Sequence, residues 1–120
     1  MIPTLFLGLS LIAANPAIQP ATPEEMAEKP VETIVRLAAQ FCYLKNEQQL
    51  GPVFDACIAE QQAATIEFLH TLKTITDAGG NAIDPLISCL DSNTINNVAM
   101  DTTAVRDCFY GEIGALKGTF

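Results

Sequence analysis

Four residues in this chain carry the most reactive side chains: Cys42, Cys57, Cys89 and Cys108. A thiol can ligate a metal, attack a substrate or be oxidised to a crosslink, and spacing separates these outcomes. Structural zinc sites bring ligands in close pairs such as C-x-x-C, because a short turn aims two thiolates at one ion. Here fourteen residues lie between the first two cysteines and eighteen between the last two, and His70 is the only histidine. The spacing argues against a metal site. It also argues against a redox dithiol or a catalytic thiol, which expect C-x-x-C or a histidine partner.

The other chemistry-bearing residues form no constellation. Ser88 and Ser92 lie outside any G-x-S-x-G elbow. His70 follows "IEFL" on a helical pattern and reads as a half-exposed helix residue rather than a general base. Fourteen carboxylates on a small surface produce close pairs by chance, so a glycosidase-like pair has no support. "GGN" at 79–81 closes a helix rather than opening one, where the dipole has the wrong sign for phosphate. "DSNTINN" lacks the central Gly and terminal Glu of an EF-hand loop. The chain is expected to be non-enzymatic, with no cofactor and no metal.

Crosslinks fit better. Cys42 precedes Asn46, the expected end of one helix, by four residues, and Cys57 follows Pro52, the expected start of the next, by five. At about 1.5 Å rise per residue the two sit level across an antiparallel hairpin. Cys89 and Cys108 can pair in the same way across a second hairpin. Four cysteines allow three connectivities; 42–57 with 89–108 is favoured, and the nested 42–108 with 57–89 comes second.

The elements that must carry these crosslinks are helical. In "VETIVRLAAQFCYLKN", Val31, Ile34, Val35, Ala38, Phe41 and Cys42 recur at helical steps, opposite Glu32, Arg36, Gln40 and Lys45. "PVFDACIAEQQAATIEFLHTLKTITDAGG" places Phe54, Ile58, Thr65, Phe68, Leu69, Leu72 and Ile75 in one band, with Gly79 and Gly80 as its stop. "DPLISCLD" is a short helix capped by Asp84, "SNTINNVAM" a loop or one loose turn, and "DTTAVRDCFYGEIGALKG" a last helix with Val105, Cys108, Phe109, Ile113 and Leu116 on one face. No stretch alternates apolar and polar residues, so no strand is expected. The fold class is all-α: a small disulfide-stapled domain of two antiparallel helical hairpins, about four main helices, over residues 31–120.

Two segments precede that domain. "LFLGLSLIAA" (Leu5 to Ala14) is too short to span a bilayer and suits a signal-peptide core, giving a signal peptide at 1–17 with cleavage after Ala14 or Ala17. Residues 18–30, with Pro20, Pro23 and Pro30, read as a proline-rich leader. Within it, "TPEE" offers Thr22 as N-cap, Pro23 at the first helical position and Glu25 to complete a capping box. With cysteines used as crosslinks, the address implies secretion to the extracellular space, or another oxidising compartment such as the periplasm. No stable membrane insertion is expected after processing.

Composition bounds the partners. The net charge is −8, and the six Lys and Arg residues are scattered with no two adjacent. Nucleic acid requires clustered positive charge, so it is excluded as a partner. Two function classes remain. The first is surface recognition of an unknown protein partner, as an inhibitor, effector or structural component, which predicts an exposed apolar patch. The alternative is an extracellular carrier of a small apolar ligand in an inter-helix cavity, lined by Phe41, Phe54, Phe68, Leu72, Phe109 and Tyr110. The same six residues at helical spacing also suit an ordinary core.

Overall fold

The computed structural model describes residues 18–115. The apolar run at 5–14, both candidate cleavage sites, Leu116 and Lys117 lie outside them. The described chain is all-α: α1 (Pro23–Glu28), α2 (Pro30–Lys45), α3 (Pro52–Asp77), α4 (Ile83–Ser92) and α5 (Thr102–Ala115), with a minimal hairpin of β1 (Thr94–Ile95) and β2 (Ala99–Met100) between the last two. α2 and α3 form one helical hairpin and α4 and α5 the other. α3 is the common strut, packing on both α2 and α5.

Local chemistry sets the helix ends. Three of the helices begin with proline at the first or second position, where a missing N–H costs nothing. α1 closes the expected capping box: Thr22 Oγ accepts from Glu25 N–H, and the Glu25 carboxylate accepts from Thr22 N–H, both at 3.1 Å. α3 ends in a Schellman motif. Gly79 adopts φ +89°, its N–H donates to Thr76 C=O, and Gly80 N–H donates to Ile75 C=O. α4 starts earlier than expected, at Ile83 rather than Pro85. Ala82 occupies the cap position and Asn81 Oδ1 accepts from Ile83 N–H, so Asp84 lies in the first turn instead of capping it.

The hairpin at 94–100 departs from the expected loop. Asn96 and Asn97 both take positive φ (51° and 62°), and Val98 N–H donates to Ile95 C=O, which closes a tight turn and pairs Ile95 with Ala99 and Thr94 with Met100. Asparagine tolerates the left-handed region better than other non-glycine residues. Strands of two residues are too short to leave an alternating pattern in the sequence.

The core lies where the four main helices meet: Ile34, Leu37, Phe68, Leu86, Cys89, Met100, Val105 and Phe109 are wholly or almost wholly buried. Leu69, Leu72, Ile75, Leu90 and Ile113 pack against it from the edges. The buried face of α2 is rotated from the expected one. Thr33, Leu37, Ala39 and Gln40 face inward, while Val31 and Val35 are exposed. Gln40 accounts for the rotation. Its Nε2 donates to the carbonyls of Val98 (2.6 Å) and Gln19 (3.1 Å), and its Oε1 accepts from Gln19 N–H (3.1 Å). A side-chain amide with its donors and acceptor satisfied can be buried, so its polar character does not assign it to the solvent face.

Gln40 also ties down part of the proline-rich leader. Ala21 N–H donates to Asn97 C=O at 2.7 Å, and Ala21 and Met26 pack against the core. Arg36 grips Glu25 through both terminal nitrogens, at 2.6 and 3.2 Å. Residues 19–28 therefore lie on the helical domain instead of extending from it. The prolines limit α1 to six residues without preventing it from docking.

A second buried amide joins the hairpins. Gln61, on α3, donates through Nε2 to Asp101 Oδ1 (3.0 Å), and its Oε1 accepts from Thr102 N–H (2.6 Å). Asp101 caps α5 by accepting from Thr103 N–H at 3.1 Å and Thr103 Oγ at 2.6 Å. Gln61→Leu keeps the volume but strands these partners in a buried site. It is expected to destabilise the fold by about 2–3 kcal/mol, measured as a lower urea midpoint with an unchanged m-value.

Candidate docking groove

The six residues expected to line a cavity do not converge on one. Phe68 and Phe109 are wholly buried in the core, and Leu72 packs against its edge. Phe54 is buried at the other end of α3, edge-on to Tyr43 with ring centroids 6.4 Å apart. Phe41 is half-buried beneath Lys45, whose Nζ sits 5.6 Å from the ring centre. Tyr110 is 36 % exposed; its hydroxyl donates to Glu67, and burial, then that hydrogen bond, raise its pKa above the usual phenol value.

The cysteines are placed in two bridges, Cys42–Cys57 and Cys89–Cys108, and no described cysteine is free. One bridge crosses each hairpin, with Cα separations of 5.7 and 5.8 Å. Crosslinking of this kind suits an oxidising compartment. Among the described residues no group of three His, Cys, Asp or Glu side chains could hold a metal ion, and no helix is long and apolar enough to cross a membrane.

Two open grooves flank α1. The smaller, about 530 Å³, runs between α2 and α3 and is mixed in character: Val35 and Ile58 lie beside Glu25, Lys29, Glu32 and Arg36. The larger, about 690 Å³, is walled by α1, the first two turns of α2, α3 at Leu69 and Leu72, and α4. Its floor is Ile34, Leu37, Leu72, Leu86 and Leu90, and Asp91 is the only ionisable lining residue among those described. Of the six residues expected around a cavity, Leu72 alone lines it.

The rim of this larger groove is also apolar. Val31, Ile83 and Ile87 line it while remaining 47, 45 and 48 % exposed. On α4, Ile83 and Ile87 are one turn apart, next to Leu86 and Leu90, which face the core side. A ten-residue helix needs only a narrow stripe to dock, and α4 carries a wider one. That surplus is visible in "IDPLISCL".

No protein-family model, curated protein or solved structure matches this chain. The groove therefore has to be understood from its own chemistry.

The α1 wall is held by charge. None of its residues is fully buried, and Glu25 is its main polar anchor. The hydrogen bond from Arg36, then that from Thr22 N–H, hold the Glu25 carboxyl below the usual range. A depressed carboxylate pKa contributes stability that is present above the unfolded value and lost as the pH falls through the folded one. Protease protection of residues 19–29 is therefore expected to persist through the ordinary carboxylate range and to be lost as the pH falls below it. Glu25→Gln, which cannot titrate, should begin less protected and show a flatter pH dependence over residues 19–29.

Proposed function

We propose that the protein acts by surface recognition: the larger groove receives an apolar segment of a protein partner, in an extracellular or other oxidising setting. The observation that carries this reading is the continuity of exposed Val31, Ile83 and Ile87 with the apolar floor of an open groove. Exposed apolar residues scattered singly are ordinary, whereas a contiguous set around a concavity marks a contact surface. The two crosslinked hairpins support the reading, because walls fixed before binding lower the entropy lost on association.

Selection from a displayed peptide library tests it, using the wild-type protein as bait and Ile87→Gln for counter-selection. Peptides with apolar residues at three- and four-residue spacing that bind wild type and fail on the variant support the groove. Peptides that bind both equally would place recognition elsewhere. The carrier alternative draws on the groove's volume, which falls in the range of small-molecule sites. It is tested by native mass spectrometry of protein secreted from its own host: extra mass that disappears on denaturation supports a carrier, and a bare monomer counts against one.

A further inference from the structure

We infer that the partner segment is cationic as well as apolar: a basic amphipathic helix seated in the larger groove with a charged flank against the carboxylates of the α4 rim. The inference rests on the docking reading above and adds the partner's charge. On one rim, α4 carries Asp84, Ile87 and Asp91 at helical spacing along one exposed stripe. α1, another wall of the groove, carries the exposed residues Glu24 and Glu28 outside the lining face. All four carboxylates are exposed, and none makes an ion pair among the described residues.

Among the described residues the basic side chains do not compensate them. Arg36, Lys73 and Arg106 are paired with Glu25, Asp77, and Glu67 and Asp107 respectively. Lys45 lies over Phe41, and Lys29 lines the smaller groove. No described basic residue lines the larger one. An apolar floor beside an unpaired acidic rim is complementary to a helix with an apolar stripe flanked by Lys or Arg. An acidic partner would meet like charge at that rim, beyond the repulsion of a chain with net charge −8.

The test uses a Leu/Lys amphipathic peptide about 18 residues long, with leucines at helical spacing, and its Leu/Glu counterpart, each followed by fluorescence anisotropy. The Leu/Lys peptide should bind at least about tenfold more tightly than the Leu/Glu one, with affinity falling as salt is raised. Asp84→Asn with Asp91→Asn should weaken Leu/Lys binding about three- to fivefold. Asp55→Asn with Glu60→Gln, on exposed α3 positions roughly 13 Å or more along the helix from Leu69, should leave it unchanged.

Equal weakening by the two double variants would mean that net charge alone attracts the peptide, and would overturn the inference. Equal binding of both peptides, lost in Ile87→Gln, would also overturn it while leaving the docking groove standing. Undiminished Leu/Lys binding to Ile87→Gln would remove the groove itself. All the substituted side chains are exposed, and an unchanged thermal midpoint confirms the fold of each variant.

Discussion

Reduction of both disulfides is expected to abolish the cooperative unfolding transition. The bridges close loops with sequence separations of 15 and 19 residues. In the chain-entropy model each contributes about 3 kcal/mol by restricting the unfolded ensemble. Their sum, about 6 kcal/mol, compares with a total stability of about 5–15 kcal/mol for a domain. The two bridges should not be equivalent under substitution. Cys89 is wholly buried in the central cluster, so Cys89→Ala with Cys108→Ala loses core packing as well as the constraint. Cys42 is as deeply buried but lies outside that cluster, in the last turn of α2. Thermal unfolding followed by circular dichroism, with and without reductant and in each double variant, should rank them. The 89–108 variant should have the lower midpoint, and fully reduced protein should show no sigmoidal transition.

Phe109→Ala is the single substitution expected to do the most damage. Phe109 is wholly buried on α5, in the cluster that also receives Phe68 from α3 and Leu86 from α4. A phenylalanine truncated in such a place costs about 3–5 kcal/mol, from lost transfer energy and the cavity left behind. The loss falls where both hairpins meet, so α5 should loosen together with the start of α4 and not alone. Urea denaturation followed by both far-ultraviolet circular dichroism and tyrosine fluorescence checks this. Coincident transitions at a much lower midpoint are expected. A separated early phase would show that the hairpins are stabilised independently.

The helical architecture was legible in the sequence because each hairpin is marked by local signals with one physical meaning. Thr22, Pro23 and Glu25 specify the start of α1, Pro52 starts α3, and Gly79 supplies the positive φ that ends it. What escaped depended on contacts between residues distant in sequence. Gln40 and Gln61 have the composition of surface residues, and are buried only because Gln19, Val98, Asp101 and Thr102 satisfy them from elsewhere in the chain. The rotation of α2 that exposes Val31 follows from the same pairing, and so does part of the groove. The expected cavity residues share size and spacing, which identify a helix face but not whether that face meets another helix or solvent. Phe68 and Phe109 meet other helices, and Ile87 faces solvent.

The most direct test of the groove as a recognition surface is a nuclear magnetic resonance titration of labelled protein with the Leu/Lys peptide. Shifts concentrated on Met26, Val31, Leu72, Ile87 and Leu90, which line the larger groove, are the outcome expected of a docked segment. Shifts centred instead on Val53 and Ile66, the most exposed large apolar residues of α3, would contradict it and move the recognition surface to the free face of that helix.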